Sequence, residues 1–223
     1  MNGSDKFPFL CMDNFYEDPD SVRKLALSCK FHGNNGHWPG KRTEQISDID
    51  RAFYEKFCSK LLGLFFSLDN PIQYNIETTF QKIEQMDPDP TSPNNVGWIH
   101  ADGDQYILAG VIYLSPNCIP ENGTSIFKVR NPKTITHSDS KLDYYLKGEN
   151  NNHEKELLGH NSSFTESIRF NSVYNRLIVF PADAYHGVNS FNNPSGEPRL
   201  TQVFFMRKCE TKELPPIQRS RNI

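Results

Sequence analysis

The segment Gly97–Asp102 holds a histidine and an aspartate two residues apart, and this pair restricts how the chain can fold. In a strand, side chains at positions i and i+2 leave from the same face, so His100 and Asp102 can point at one ion. A third candidate ligand, His186, follows an apolar run that ends in Phe180-Pro181. A fold that uses all three side chains must bring together two strands that are distant in the sequence.

Two histidines and one carboxylate on one face form the facial triad that holds non-haem Fe(II) and leaves coordination positions open. Beyond His186, a short turn rich in Asn, Pro and Gly leads to Arg199 and Thr201, which again stand at i and i+2. The guanidinium of an arginine can hold a carboxylate through two parallel hydrogen bonds. The sequence therefore indicates a metal site and a carboxylate-binding site that the fold brings together.

The order of these segments resembles that of the 2-oxoglutarate and Fe(II)-dependent dioxygenases, especially their prolyl 4-hydroxylase-like branch. A His-x-Asp motif is followed by an apolar strand, a Gly-Thr step, a second apolar strand ending in Phe-Pro, a histidine and an Arg-x-Thr motif. The resemblance covers about residues 75 to 208. It depends on the whole ordered set, because a single His-x-Asp is common by chance.

This resemblance implies a mostly β, α+β fold with a double-stranded β-helix core, also called a jelly-roll or cupin-like core, and N-terminal supporting helices. It implies that His100, Asp102 and His186 bind Fe(II). It also implies that Arg199 and Thr201 hold the distal carboxylate of 2-oxoglutarate. Relatives often have a serine at the position of Thr201, which keeps the hydroxyl group.

The implied activity is that of a dioxygenase, which uses O2 to convert 2-oxoglutarate into succinate and CO2 while it hydroxylates a substrate. Relatives that halogenate have a small residue in place of the carboxylate ligand, so the presence of Asp102 favours hydroxylation. The resemblance suggests an amino-acid side chain, prolyl or other, as the target. The substrate can then be a small molecule, a peptide or a protein.

Two functions of other kinds are compatible with parts of this pattern. A cupin-like metal-binding protein without redox chemistry would use the histidines but would not need Arg199 and Thr201. A catalytically inactive relative kept for protein interaction would not need the complete set of site residues. Within the superfamily, nucleic-acid demethylases carry a further arginine six residues after the 2-oxoglutarate arginine, and Phe205 occupies that position here.

The composition argues against several classes of partner. Charged residues make up 23% of the 223 residues, the net charge is -3, and neither sign forms a long run. We therefore expect neither nucleic acid nor a membrane as a partner. The N-terminus lacks a signal-peptide pattern and the five cysteines are scattered. These features predict a soluble, cytoplasmic protein with reduced thiols.

The length fits one domain over residues 1–223. Residues 1–72 are predicted to form a first strand and the supporting helices, and residues 73–208 the jelly-roll core. Residues 209–223 are expected to form a loose tail. Apolar and β-branched runs predict the strands of the core, at residues 78–83, 107–114, 123–129, 177–181 and 200–206.

Two amphipathic helices are predicted before the motifs. Asp18 caps the first, which has a proline at its first position and ends near Cys29. The second begins at a capping box formed by Ser47 and Asp50 and ends near Phe66. Its aromatic stripe is expected to pack on a sheet.

Between about residues 130 and 167 the chain is polar and loses its periodicity. We expect this insertion to be mobile without substrate and to form a lid at the mouth of the pocket. Three histidines of the insertion lack ligand spacing and are expected to lie away from the metal, namely His137, His153 and His160. The earlier glycine-rich loop contains His32 and His37, which we expect to be loop residues rather than ligands.

Overall fold

The strands of the protein form two antiparallel sheets in the computed structural model, which describes residues 7–33, 38–135 and 153–221. The larger sheet has the order β1-β7-β4-β9-β3-β2 and the smaller one the order β6-β5-β8. The strands are β1 Leu10–Met12, β2 Lys41–Arg42, β3 Gln73–Ile83, β4 Leu108–Tyr113, β5 Thr124–Val129, β6 Phe164–Phe170, β7 Leu177–Pro181, β8 Tyr185–Val188 and β9 Arg199–Glu210. The antiparallel sheets and the N-terminal helices agree with the expected α+β class.

Strands β4 and β7 are neighbouring interior strands of the larger sheet, and their sequences are almost entirely apolar. Every residue of β7 is buried, and β4 lies between β7 and β9. A strand that is covered on both faces needs apolar side chains at both odd and even positions, which the two runs supply. The predicted strands at 107–114 and 177–181 are confirmed.

Strand β9 alternates between two environments. Leu200, Phe204 and Met206 belong to the core under the helices, whereas Arg199 and Val203 line a pocket on the opposite face. This alternation follows from the two-residue period of a strand. The larger sheet therefore has one face covered by helices and one face that contributes to the pocket.

The first predicted helix is confirmed as α1, Pro19–Ser28, and the carboxylate of Asp18 accepts the backbone N–H of Ser21 at 3.0 Å. The predicted second helix is wrong as a single element, because it divides into α2, Ile46–Ile49, and α3, Arg51–Gly63. Asp50 is extended between them, and its carboxylate accepts the backbone N–H of Phe53 at 2.9 Å. An aspartate that caps a new helix in this way ends the preceding turn.

The aromatic stripe of α3 packs on the larger sheet as expected. The rings of Phe57 and Phe204 meet edge to face with centroids 5.3 Å apart. Phe57 and Leu61 are fully buried in the same apolar core. The helices thus support the sheet from the face opposite to the pocket.

The described part of the predicted insertion is folded, which corrects the expectation for its second half. Residues His153–Asn161 form a helix, α4, and β6 follows it. His153, Leu157 and His160 are buried and stand at i, i+4 and i+7, so they form one helix face. Two of these three residues are histidines, which do not count as apolar, so the periodicity of the helix is not visible in the sequence. Residues 136–152, with His137, lie outside the described residues.

The C-terminal segment is not the loose tail that was expected. Strand β9 continues to Glu210, and Pro216–Arg221 form a last helix, α5. The guanidinium of Arg219 donates to the carboxylate of Glu213 at 2.5 Å and to the carbonyl of Phe65. All five cysteines are free thiols, as predicted. Among the described residues, no helix combines the length and the apolar character needed to cross a membrane.

Candidate metal centre and its pocket

The segment that contains His100 runs antiparallel to β8, at the edge of the smaller sheet. The backbone N–H of His100 donates to the carbonyl of His186 at 2.9 Å, and the reverse bond is 2.8 Å long. Gly97 donates to Val188, and Asp102 donates to Ala182, each at 2.9 Å. Residues that face each other in an antiparallel pair project their side chains to the same side. The backbone therefore brings the two histidines together.

The three predicted ligands converge. Nε2 of His100 lies 3.7 Å from Oδ1 of Asp102, and Nε2 of His186 lies 3.6 Å from Oδ2. One potential ligand atom from each side chain can be chosen so that all three lie within 4.8 Å of one another. Separations of this size leave room for a single ion among the three atoms, since metal-ligand bonds to nitrogen and oxygen are about 2.0–2.2 Å long. In the part of the chain that the structure describes, this is the one such group of three.

Both imidazole rings have the tautomer that metal binding requires. Nδ1 of His100 lies 2.9 Å from the carbonyl oxygen of Trp98, and Nδ1 of His186 lies 2.9 Å from that of Ala184. A carbonyl oxygen only accepts, so each Nδ1 carries the hydrogen and each Nε2 presents its lone pair. Backbone acceptors of this kind orient metal-binding histidines in proteins. The donor set thus fits a divalent ion.

Two of the three candidate ligands are shielded from solvent, and the third is partly exposed. The side chains of Asp102 and His186 are 9% and 10% exposed, whereas that of His100 is 37% exposed. All three line a pocket between the two sheets, with apolar walls that include Trp98, Phe180 and Val203. Concave, mostly apolar sites with a few convergent polar groups are typical of small-molecule binding.

Arg199 lies in the same pocket as a buried cation without a counterion. It is 2% exposed, its Nε donates to the carbonyl of Asn122 at 2.9 Å, and its guanidinium lies 5.3 Å from the ring centroid of Tyr113. Its buried Nη2 has no hydrogen-bond partner, and it forms no ion pair with a described residue. Burial lowers the pKa of Arg199, with Tyr113 opposing the change. Because an unpaired buried charge is costly, this arrangement fits an anion that a ligand supplies.

Thr201 is the second side chain of the predicted carboxylate site. It is fully buried, and its Oγ1 has no hydrogen-bond partner. It stands two residues from Arg199 on β9, and in the sheet it pairs with Tyr113 on one side and Gln81 on the other. The structure therefore brings Arg199 and Thr201 to the same face, each with a polar atom that is left for a ligand.

Tyr113, which lies against the guanidinium of Arg199, was not identified from the sequence. Tyr113 donates from its phenol to Oγ1 of Thr124 at 3.0 Å, and burial raises its pKa. The alternation along β4 could have revealed Tyr113, but the run reads as uniformly apolar. Whether Arg42 borders the pocket was left open by the sequence, because its two-residue strand gives no periodic signal, and the structure places Arg42 in the pocket lining.

The other histidines that the structure describes, His32, His153 and His160, do not belong to the candidate ligand group. His32 lies in a backbone bridge with Arg42, and its Nε2 is 3.4 Å from a carboxylate oxygen of Glu44. His153 and His160 are buried away from the three ligands, and burial lowers the pKa of His153 to about 4. These positions agree with the expectation that none of the three is a ligand. His37 lies outside the described residues.

Helix α4 holds the strand that leads to His100. Oδ1 of Asn161 accepts the backbone N–H of Ile99 at 3.1 Å, and Nδ2 of Asn161 donates to the carbonyl of Gly97 at 3.1 Å. Nε2 of His160 lies 2.7 Å from the carbonyl of Ile99. The amide of Asn161 thus takes the place of a neighbouring strand. The end of α4 therefore fixes the backbone segment that precedes the candidate ligand His100.

Replacing Asn161 by alanine is expected to weaken metal binding by roughly tenfold while the protein stays folded. The change removes both bonds to the backbone before His100, so the ligand is held less firmly. Isothermal titration with Zn(II) measures the affinity. Ser162→Ala is the control, because the Ser162 hydroxyl bonds only within the helix, to Gly159 at 2.7 Å. Equal Zn(II) affinity in the two variants would contradict the positioning role.

Comparison with known proteins gives a family and a fold. A family model described as "Family of unknown function (DUF6445)" matches residues 1–205. A search of the curated proteins finds no match. The sequence comparison therefore supplies no activity.

Solved structures resemble this one over most of their length. HygX from Streptomyces hygroscopicus, with nickel, 2-oxoglutarate and hygromycin B bound, is 12% identical with a TM-score of 0.54, covering 90% of this chain and 83% of HygX. HygX has also been solved with iron bound. AviO1 from Streptomyces viridochromogenes Tue57 is 13% identical with a TM-score of 0.51, covering 94% of each chain.

A prolyl-4-hydroxylase from Pseudomonas putida is 12% identical with a TM-score of 0.48, covering 90% of this chain and 92% of that one. The similarities to HygX and AviO1 describe the fold. The resemblance to the 2-oxoglutarate and Fe(II)-dependent oxygenases is confirmed at that level. The branch within the superfamily stays a prediction.

Proposed function

The chain belongs to the DUF6445 family, whose function is unknown, and we propose that it is an Fe(II)- and 2-oxoglutarate-dependent dioxygenase that hydroxylates its substrate. The observation that carries this proposal is the joint presence, in one pocket, of a His-Asp-His cluster and a buried arginine without a counterion. HygX, which shares the fold, binds iron and, in other crystals, nickel with 2-oxoglutarate. We further propose that the two sheets form a double-stranded β-helix.

In this proposal, His100, Asp102 and His186 hold Fe(II) through two Nε2 atoms and one carboxylate oxygen. Iron with bound 2-oxoglutarate supplies the chemistry of O2 activation, by which 2-oxoglutarate becomes succinate and CO2 and a substrate C–H bond becomes C–OH. The protein supplies orientation. The carbonyls of Trp98 and Ala184 fix both rings, so the ligand atoms are in place before an ion arrives.

Arg199 and Thr201 bind the distal carboxylate of 2-oxoglutarate. The guanidinium offers Nη2, and the threonine offers its hydroxyl, and neither group has another hydrogen-bond partner. Tyr113 lies against the guanidinium and helps to fix its position. A carboxylate there neutralises the buried charge of Arg199, so the co-substrate stabilises the site that receives it.

The apolar walls have a separate role. Phe180 lies beside the ring of His186, with centroids 4.5 Å apart, and Trp98 and Val111 complete the lining. Walls of this kind keep water from the metal ligands and strengthen electrostatic contacts inside the pocket. The five free thiols support the proposal of a cytoplasmic location.

A non-redox cupin-like protein and an inactive relative are the competing functions. Neither needs an anion-binding group in the pocket, and neither explains why Arg199 and Thr201 are buried with polar atoms that lack partners. The carboxylate site is therefore the feature that separates the oxygenase from these alternatives.

Replacing Thr201 by valine is expected to lower the affinity for 2-oxoglutarate by roughly tenfold, because one hydrogen bond to a charged group is lost. The melting temperature of the ligand-free protein should not fall, since the hydroxyl has no partner to lose. Thr78→Val is the matched control, because Oγ1 of Thr78 donates to the carbonyl of Val203 at 2.9 Å. The Thr78→Val control should have a lower melting temperature than the wild type, and its affinity for 2-oxoglutarate should fall less than that of Thr201→Val. The reverse pattern would contradict the assignment of Thr201.

Succinate formation tests the proposed function. Purified protein is incubated with Fe(II), 2-oxoglutarate and O2, and succinate is measured with and without each component. We expect slow succinate formation that needs all three and that disappears in His186→Ala. Succinate that forms equally without Fe(II), or a wild-type protein that neither binds 2-oxoglutarate nor forms succinate, would favour the alternatives.

A further inference from the structure

A second arginine enters the pocket beside the metal centre. Arg42 is the last residue of β2, where it pairs with Gln81 of β3. Its carbonyl accepts the backbone N–H of His32 at 2.8 Å, and its own N–H donates to the carbonyl of His32 at 3.1 Å. Its guanidinium lies 4.3 Å from the ring centroid of Trp38 and 5.5 Å from that of Phe205. The backbone bonds and the two rings hold the side chain in a defined position.

The guanidinium of Arg42 has no anionic partner among the described residues. Its buried Nε lacks a hydrogen-bond partner, and no carboxylate of the described chain forms an ion pair with it. Burial lowers its pKa to about 10, with the charge of Asp102 opposing the change. The group is therefore charged at neutral pH, and it lines the same pocket as Asp102.

The position of Arg42 separates its role from that of Arg199. Among the described residues that line the pocket, these two carry the positive charges. In the proposed function, one carboxylate of 2-oxoglutarate lies at Arg199 and the other at the metal. Arg42 is then left for the molecule that is oxidised. An arginine stacked between aromatic rings keeps its edge available for hydrogen bonds.

We propose that Arg42 binds a carboxylate of the substrate, so that the enzyme acts on a carboxylic acid with an apolar or flat body, such as a free amino acid or a related acid. This inference rests on the proposed function. The planar edge of a guanidinium matches a carboxylate through two parallel bonds. A single cation beside the anionic Asp102 suits a monoanion better than a phosphate dianion. Trp38 and Phe205 also line the pocket, so the part of each ring that Arg42 leaves uncovered gives the body of the acid an apolar wall.

The test compares acids with amides of the same shape. The probes are phenylacetate with phenylacetamide, and N-acetyl-L-proline with its amide, each titrated into protein that is saturated with Zn(II) and 2-oxoglutarate. Binding is observed at the indole ¹⁵N–H signals. The chain has two tryptophans, and a Trp38→Phe sample identifies the signal of Trp38. The same titrations are repeated without Zn(II) and 2-oxoglutarate.

We expect at least one acid to shift the Trp38 signal and to bind at least about tenfold more tightly than its amide. This preference should disappear in Arg42→Gln and survive in part in Arg42→Lys. Lys41→Gln is the control, because Lys41 is the exposed neighbour on the same strand. The control should keep the full preference. The affinity for 2-oxoglutarate should change by less than about threefold in Arg42→Gln.

Three results would overturn the proposal. The first is that wild-type protein binds neither acid in preference to its amide. The second is that Arg42→Gln keeps the preference for the acid. The third is that Arg42→Gln loses 2-oxoglutarate binding, which would assign Arg42 to the co-substrate. If the glutamine variant does not fold, Arg42→Lys and the wild-type comparison still decide the matter. Failure of the proposed function has a different signature, namely no Zn(II)-dependent binding of 2-oxoglutarate by wild-type protein. The acid preference without metal is measured independently of that result.

Discussion

Replacing Asp102 by alanine is expected to lower the affinity for Fe(II) or Mn(II) by at least about 100-fold, because the loss even of an outer-shell partner costs 10 to 100-fold. Asp102 supplies the only anionic ligand of the triad, and its two oxygens face Nε2 of His100 and of His186 at 3.7 Å and 3.6 Å. Without the carboxylate, two neutral imidazoles remain. Equilibrium dialysis of anaerobic protein with metal analysis measures the effect.

The control for this variant is Asp104→Ala. Asp104 is an exposed carboxylate two residues further along the same segment, and it does not belong to the cluster of ligands. The Asp104→Ala protein should bind one metal ion per chain with the affinity of the wild type. Stoichiometric binding that survives in both Asp102→Ala and His186→Ala would reject the metal centre.

Replacing Arg199 by glutamine is expected to lower the affinity for 2-oxoglutarate by at least about 30-fold, because truncating one partner of a buried charge pair costs about 2–5 kcal/mol. The guanidinium is 2% exposed, so water does not replace the lost contact. Arg199→Lys keeps the charge but not the planar geometry, and an intermediate affinity is expected. Anaerobic calorimetry with metal-loaded protein measures the three affinities.

Arg207→Gln is the matched control for Arg199. Arg207 lies on the same strand, eight residues further on, and it is ion-paired with Glu77. Its loss should leave 2-oxoglutarate binding unchanged. If Arg199→Gln binds as tightly as the wild type, the carboxylate site lies elsewhere, and Lys82, Arg207 and Arg42 become the candidates.

Part of the geometry of the candidate site was predictable from one local rule. Residues at i and i+2 of a strand share a face, which unites His100 with Asp102 and Arg199 with Thr201. The apolar runs that became β4 and β7 predicted two interior strands of the larger sheet. The sequence did not contain the register that sets His100 opposite His186, since strand pairing is decided by the packing of the whole sheet.

The errors arose where one residue type serves two purposes. His153 and His160 act as core side chains in α4, packed on the ring of Trp98 with centroids 5.5 Å and 5.1 Å apart. A polarity count assigns such residues to a surface loop. Asp50 could either complete the capping box of one long helix or cap a new helix. Its carboxylate accepts the backbone N–H of Phe53, so it caps a new helix. Both choices depend on tertiary contacts that local patterns do not encode.

The sequence left open whether Arg42 borders the pocket, for a related reason. Its strand has two residues, and its partners Trp38 and Phe205 are far apart in the sequence. Phe205 occupies the position at which nucleic-acid demethylases have an arginine. In this fold, the ring of Phe205 instead lies against an arginine from another strand. This second cation thus reaches the pocket from β2, and not from position 205 of β9.

A crystal structure of the wild-type protein grown without oxygen, with Mn(II) and 2-oxoglutarate, tests the central claim most directly. We predict an anomalous peak among Nε2 of His100, a carboxylate oxygen of Asp102 and Nε2 of His186. Density for 2-oxoglutarate should extend from this ion to the guanidinium of Arg199 and the hydroxyl of Thr201. An ion bound elsewhere, or 2-oxoglutarate density that does not reach Arg199, would contradict the account.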